Sequence, residues 1–424
     1  MTDHTVNDAP HGPLAGIRIL TLTQAWSGTF STELLGLLGA DVIQIEARRR
    51  PDTWRGGYTG EIPEAIRDPQ RRQRRWNVSP LYNAVNLNKR GITLDLGDPR
   101  GMEYFKRLVP LADVVVDNFS PRVMGNWGLG FEALEALRPG IIQASLSAYG
   151  ATGPYRNVPG IGGTIEPMSG MSALLGYKGG RPMNSGAMYP DPVAGSYLTA
   201  AILSAIRHRN QTGEGQYIDL GMMEANGTFI GDATAEYSAN GDVRPRLGNH
   251  HLQYAPHNIY EARNAGWIAV AAETPEQWDA LKRVACVPEL EDARFATNES
   301  RKEHEAELDA LLGGWIRHQH AEPLEALLLA DGVPAARVRD RLEVLADEQL
   351  VARGFPVEVD HPEAGKHTMV GVPWHFGRTP AAVVRPAPMM GQHSLEVLRE
   401  LFGTTDEEYA ELVAENVSGD EPPE

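Results

Sequence analysis

The stretch IRILTLTQAWSGTFSTELLGLLGADVIQIE, residues 17–46, decides the fold class. Its first seven residues are an apolar, β-branched run of strand length, predicting a buried strand. AWSG follows as a turn. Phe30, Leu34, Leu35, Leu37 and Leu38 then fall at helical spacing. The Gly39 stop and the run ADVIQIE predict a second strand. Strand, helix, strand is one βαβ unit and opens a doubly wound α/β sheet. ADVVVDNF and GIIQASLSA read as later strands. DPRGMEYFKRLVPL reads as a helix just before the first of these, with Asp98 as N-cap and Pro99 in its first turn.

The rest of the chain bounds the function classes. At 424 residues two domains are expected. Hydrophobic residues make up 42%, enough for packed cores. The net charge of −17 argues against nucleic acid and acidic membranes as partners. Cys286 is the single cysteine, so no intramolecular disulfide forms. The polar start MTDHTVNDAPHGPLAG has no apolar core of a signal peptide, and no apolar run is long enough to span a membrane. A soluble, cytoplasmic α/β enzyme is expected.

Residues 48–80 are rich in Arg, Pro and Gly without periodicity and read as a long loop. Its arginines suit a solvated surface or an anionic ligand. Residues 150–180 are rich in glycine, as where backbone packs close to a ligand or turns tightly. NIYEARNAGWIAVAAE predicts a hairpin around Asn264-Ala265-Gly266, followed by a helix from TPEQWDALKRV. The expected layout is a disordered N-terminus at 1–12 and a large domain at 13–225. A small α+β domain follows at 226–330, then a return to the large domain at 331–405. The acidic tail, 406–424, reads as a helix that frays into disorder.

One carboxylate stands out in MYPDPVAGSYLTAAILSAIRHRNQTGEGQ. Asp191 lies between two prolines before an apolar period. That spacing predicts Asp191 as N-cap and Pro192 as first helical residue. Tyr197, Leu198, Ala201, Ile202, Ala205 and Ile206 would form the buried stripe, with Arg207, His208 and Arg209 at the negative end of the dipole. A helix N-terminus also favours an ionised carboxylate, which is what a covalent nucleophile must be. On these residues alone cap and nucleophile both stand.

Six motifs occur in order: PLAGIRIL…LLGADVIQIE, NLNKRGITLDL, ADVVVDNFSP, GLGFEAL…RPGIIQASLSAYGATGPY, RHRNQTGEGQYIDL and RPAPMMGQHS. Together, over residues 13–403, they resemble the class III CoA-transferases. That group spans formyl-CoA transferases, carnitine and dicarboxylate CoA-transferases, and alpha-methylacyl-CoA racemases. The resemblance implies a Rossmann-like large domain built from both chain ends, a small middle domain, and a homodimer of interlocked chains. It implies Asp191 as catalytic nucleophile, with acyl-CoA and a small carboxylic acid as substrates, succinyl-CoA as the donor, and no tightly bound cofactor or metal. By the same resemblance Trp26 and Ser27 lie beside pantetheine and thiol. Leu94, Asp95, Asn118, Phe119 and Ser120 lie near the nucleotide, and Arg48 faces phosphate.

This chain departs from the pattern in places. Ala47 and Asn126 stand where arginine is frequent, which passes phosphate recognition to Arg48, Arg49 or Arg122. RLGNHHLQYAPHN replaces a glycine-run flap, bringing His250, His251 and His257 into that region. The racemases carry a His and an Asp where this chain reads GIGGTIEP, so the two-base reaction lacks its acid–base pair. An intramolecular CoA transfer stays open. A nicotinamide-dependent dehydrogenase or a non-catalytic nucleotide-binding protein would find Glu46 placed for a ribose, but TQAWSGTF lacks G-x-G-x-x-G. His250-His251 and His318-Gln319-His320 lack the carboxylate or thiolate partners of a metal site.

Overall fold

Residues 17–46 fold as a strand, a helix and a parallel strand: β1 (Arg18–Thr21), the helix Ser27–Leu37 and β2 (Asp41–Glu46). The computed structural model describes residues 11–58 and 60–423. β3 (Lys89–Thr93), β4 (Val114–Asp117), β5 (Ile142–Ser147) and β6 (Gln216–Gly221) complete a six-stranded parallel sheet in the order β3-β2-β1-β4-β5-β6. Strand side chains alternate between its faces. Ile19, Val114 and Val116 therefore join one core with Leu35, Leu198 and Ile202. Leu20, Ile43 and Val115 join another with Phe105 and Leu108. The order reverses between β1 and β4. Ligands of such sheets bind beyond the strands' carboxyl ends at that reversal, flanked here by the turns after β1 and β4.

The helix Pro190–Thr212 packs along the Ser27 helix through small residues. A Cβ on Gly195 would lie 2.6 Å from the Ser27 carbonyl oxygen, and Ser31 and Thr199 share a hydroxyl hydrogen bond of 3.1 Å. The buried stripe is therefore Ala194, Gly195, Leu198, Thr199, Ile202, Ala205 and Ile206. Tyr197, expected in it, is 42% exposed, because the close approach at Gly195 turns the aromatic position outward.

The chain divides into two units. The first takes the described residues up to Met171, then Asn184–Asp232 and Glu348 onward; the second takes Ser172–Met183 and Ala233–Asp347. In the second, β7 (His257–Glu261), β8 (Trp267–Ala271) and β9 (Ala335–Arg337) form an antiparallel sheet. Asn264 and Ala265, both at positive φ, turn β7 into β8. The helices Pro275–Ala285, Glu305–Ile316 and Ala321–Ala330 bury Trp278, Leu312 and Leu328 in this unit's core.

Three expected boundaries change. DGVPAARV does not resume the large domain at 331: β9 pairs with β8, Val270 opposite Ala335, since a three-residue strand needs a ladder partner for its backbone. Residues 226–232 stay with the first unit, because the helix Met222–Phe229 buries Met222 and Ala225 in its core. Residues 172–183 cluster with the second unit. The N-terminus expected to be disordered lies outside the described residues, apart from His11 and Gly12.

In the first unit β10 (Pro356–His361) and β11 (Gly365–Val370) form a hairpin, and the helices Ser394–Phe402 and Asp406–Ala414 follow. The tail does not fray after Ala414. Val417 and Ser418 are buried, Asp95 N–H donates to the Val417 carbonyl at 2.8 Å, and Thr93 Oγ1 donates to that of Gly419 at 2.6 Å. The cause is the free edge of β3. Gly91 N–H donates to His393 Nδ1 at 3.0 Å and Thr93 N–H to Ser394 Oγ at 3.0 Å, so the C-terminal segment covers an edge that would otherwise be open. No helix among the described residues is long and apolar enough to cross a membrane.

Candidate active site

Asp191 is not the N-cap. Pro190 opens the helix, Tyr189 is the N-cap, and Asp191 lies in the first turn. Val193 N–H, which an Asp191 cap would need, already donates to the Tyr189 carbonyl at 3.3 Å. The carboxylate is thus freed from capping, and its Oδ2 is buried without a hydrogen-bond partner. Burial pushes its pKa up to about 6, while the backbone N–H groups of Ser27 and of Asp191 itself work in the opposite direction. Desolvation outweighs the helix terminus expected to keep it low, yet the group is mostly ionised at neutral pH.

Ser27 is the first residue of its helix and Trp26 its N-cap. Two helix N-termini therefore meet at Asp191, one holding it and the other offering it an N–H. Gly162, in the helix Gly162–Met168, closes the third side: a Cβ there would stand 1.9 Å from Asp191 Oδ2.

The turn before Ser27 is strained and clasped. Ala25 has φ 58°, a left-handed conformation unusual for alanine. Its N–H donates to Asp52 Oδ1 at 2.9 Å. Gln24 and Asn118 exchange two hydrogen bonds, Gln24 N–H to Asn118 Oδ1 at 2.9 Å and Asn118 Nδ2 to the Gln24 carbonyl at 2.7 Å. Asn118 thus ties the turn after β4 to the turn after β1 across the reversal. Asp52 Oδ1 also accepts from Trp54 N–H at 2.8 Å, which sets the Trp54 indole 5.4 Å from that of Trp26. Burial pushes Asp52 up to about 6, and the nearby Glu46 charge adds to the rise.

The remaining expected residues spread along the strand ends. Phe119 is half-buried and edge-on to Trp127 at 5.5 Å, and Ser120 is exposed. Leu94 is buried, its N–H donating to the Glu46 carbonyl at 2.9 Å. Asp95 Oδ1 accepts from Gly97 N–H at 2.9 Å, and Arg49 Nε stands 3.8 Å from its Oδ2. Arg48, expected to face phosphate, points instead into the tail. It is buried, donates to the Ser418 carbonyl at 2.6 Å and to that of Glu421, and reaches Asn416 Oδ1 at 3.4 Å. Arg49 and Arg122 are exposed.

Neighbouring residues are set by contacts that sequence spacing does not show. In the 48–80 loop Arg55 is neither surface nor anion ligand: fully buried, it pairs with Glu46 at 2.7 Å. Tyr82 donates its hydroxyl to the same carboxylate at 3.2 Å. Burial opposes the charge on Glu46, but Arg55 beside it holds its pKa below the usual range. Glu46 is thereby consumed, which removes the ribose contact that a dinucleotide enzyme would need. Asp52 and Gly162 carried no pattern beyond turn composition. Glu166 did carry a signal, as an isolated charge in the glycine-rich stretch.

The profile of CoA-transferase family III matches residues 14–394. The chain belongs to CoA-transferase family III. Among its relatives, the succinyl-CoA–D-citramalate CoA-transferase of Chloroflexus aurantiacus is 34% identical over 412 residues, covering 96% of this chain and 98% of that one. The human succinyl-CoA:glutarate CoA-transferase is 28% identical, covering 96% and 90%. A solved CAIB/BAIF family protein from Brucella suis superposes with a TM-score of 0.83 at 30% identity, covering 92% of this chain and all of that one. The sequence resemblance to the class III enzymes therefore holds, and this is a family III CoA-transferase.

Proposed function

We propose that Asp191 is the nucleophile through which this family III enzyme passes CoA from succinyl-CoA to a second small carboxylic acid. The observation that carries the reading is the Asp191 carboxylate itself: half-buried in the first turn of a helix, with an Oδ2 that is shielded from water and that no protein donor satisfies. Such an oxygen is poised to form a bond.

In the first step a carboxylate oxygen attacks the thioester carbonyl, the C–S bond breaks, and CoA leaves as thiolate. The product is a mixed anhydride between Asp191 and succinate. The thiolate then attacks the aspartyl carbonyl carbon, succinate leaves as carboxylate, and an aspartyl-CoA thioester remains. The acceptor carboxylate repeats both steps in reverse order and restores Asp191. One thioester replaces another, so no nucleoside triphosphate is needed. CoA enters as a substrate, not as a resident cofactor.

The donor rests on the relatives named for succinyl-CoA in Chloroflexus aurantiacus and Homo sapiens. Trp26 and Ser27 would take the thiol end, and Asn118 would hold the turn that carries them. Phe119, Ser120, Leu94 and Asp95 would border the nucleotide. The phosphates go to exposed Arg49 and Arg122, since Arg48 is committed to the tail. The two-base isomerase is disfavoured by chemistry: GIGGTIEP, residues 160–167, offers neither the His nor the Asp that the reaction needs.

The test is incubation with succinyl-CoA and a panel of free acids, following new thioesters by mass. Hydroxylamine should convert Asp191 to a hydroxamate only when acyl-CoA is present, and Asp191→Asn should abolish both transfer and trapping. We further propose a homodimer of interlocked chains. Two prefolded, differently tagged samples should then form no hybrids, and rapid exchange would refute the interlocking.

A further inference from the structure

The transfer chemistry leaves the buried carboxyl group of Glu166 unused. Glu166 is fully buried on the helix Gly162–Met168, four residues after Gly162 and on the same helix face. Gly162 meets the Asp191 carboxylate; Glu166 meets the turn that delivers it. Its Oε2 accepts from Ser185 N–H at 2.7 Å, and its Oε1 from the Ser185 hydroxyl at 2.6 Å and from Tyr189 N–H at 3.1 Å. Tyr189 is the N-cap of the Pro190 helix. Glu166 thus takes an N–H at that terminus, where Asp191 takes none of the cap's donors. Between the two anchored residues lies Met188 at φ 46°. For a residue with a side chain that region is unfavourable, and it persists only where the surroundings impose it. Asn184 Nδ2, donating to the Gly163 carbonyl at 2.8 Å, ties the same turn to the same helix.

We propose that Glu166 is a positioning residue for the nucleophile: by holding residues 185–189 it fixes where the Asp191 carboxylate enters the site. The inference rests on Asp191 being the nucleophile. Three donors converge on Glu166, two of them backbone N–H groups bound to different oxygens. A glutamine cannot reproduce this, because it has one acceptor oxygen and presents N–H₂ where the other stood. The turn would then relax from its strained geometry and carry Asp191 with it. Displacement of a reacting group by about 1 Å costs on the order of a hundredfold in rate.

The experiment compares wild type, Glu166→Gln, Ser185→Ala and Asp191→Asn. It measures kcat, KM for succinyl-CoA, the rate of hydroxamate formation at Asp191, and melting temperature. Glu166→Gln should lower kcat and the trapping rate together, by about tenfold to a hundredfold, with KM unchanged. Ser185→Ala, which removes one donor and leaves the buried charge, should show a smaller loss in the same two rates at the wild-type melting temperature. Wild-type kcat in Glu166→Gln overturns the proposal. So does a rise in KM that accounts for the whole loss, since Glu166 would then serve binding. If Glu166→Gln does not fold, wild-type kcat in Ser185→Ala overturns it instead. An inactive Asp191→Asn beside a fully active Glu166→Gln sinks the positioning role alone, whereas an active Asp191→Asn sinks the nucleophile.

Discussion

The Cα of Gly162 faces the Asp191 carboxylate so closely that an added methyl would lie 1.9 Å from Oδ2. Alanine is the better helix former by about 0.5–1 kcal/mol, so in an ordinary helix Gly162→Ala would stabilise. Here the methyl would also meet Met188 Cβ at 2.9 Å, and the carboxylate must move. The expected outcome is a folded protein with transfer activity reduced by about a hundredfold or more. Full activity in Gly162→Ala would show that Asp191 tolerates displacement.

The Asp191 pKa of about 6 sets a pH dependence for rate. Only the ionised carboxylate attacks, so kcat/KM should rise with pH through about 6 and then level. A profile already flat at pH 5 would mean that the acting group titrates elsewhere.

Stability responds with the opposite sign. The folded carboxyl binds its proton more tightly than the unfolded one, whose pKa is near 4. Wild type therefore loses stability as pH rises from about 4 through 6, and carries the whole cost above that range. Asp191→Asn never ionises. Its melting temperature should gain on wild type by a few degrees between pH 4.5 and 7.5. A constant difference across that range would count against a desolvated carboxylate.

The Glu46–Arg55 pair should be structural. Truncating one partner leaves the other charge buried without compensation, at a cost of about 3–5 kcal/mol. Arg55→Ala should accordingly lower the denaturation midpoint sharply. The double variant Glu46→Gln/Arg55→Ala should cost less in total than the two single losses added together. Strict additivity would mean that the ion pair contributes nothing.

Arg48 and Arg49 are neighbours with opposite assignments. Arg49→Ala should weaken CoA about tenfold to a hundredfold, as expected for a charge-assisted phosphate contact of about 1.5–3 kcal/mol. Its effect on a dephosphorylated pantetheine analogue should be small. Arg48→Ala should instead lower thermal stability, by releasing Ser418 and Glu421. The reverse pattern in a binding titration would return the phosphate to Arg48.

Local pattern carried much of this protein. Strand runs at 17–23, the helical period from Phe30 to Leu38 and the Asp98-Pro99 helix start are short-range signals, and they formed as expected. Asp191 was legible as a reactive candidate because two prolines and an apolar period mark a helix start. The helix opens two residues earlier than expected, at Pro190 rather than Pro192. Pro190 and Pro192 are each acceptable in a first turn, and only the Val193 N–H bond to Tyr189 shows which one opens the helix.

What local pattern leaves undecided is partnership across the chain. The sequence alone established an α/β chain, a βαβ opening, a net charge of −17 and a proline-flanked carboxylate. Tertiary structure decided that Arg48 answers to Ser418, that Arg55 answers to Glu46, and that β9 belongs with β8. It also brought Gly162 against the Asp191 carboxylate and Glu166 against Ser185 and Tyr189, all from a separate helix. An arginine reads the same beside a phosphate, a carboxylate or a backbone carbonyl, because its donors suit all three. Which acceptor it meets depends on segments hundreds of residues away, and that proximity exists only after the sheet has brought its edge and the C-terminal segment together.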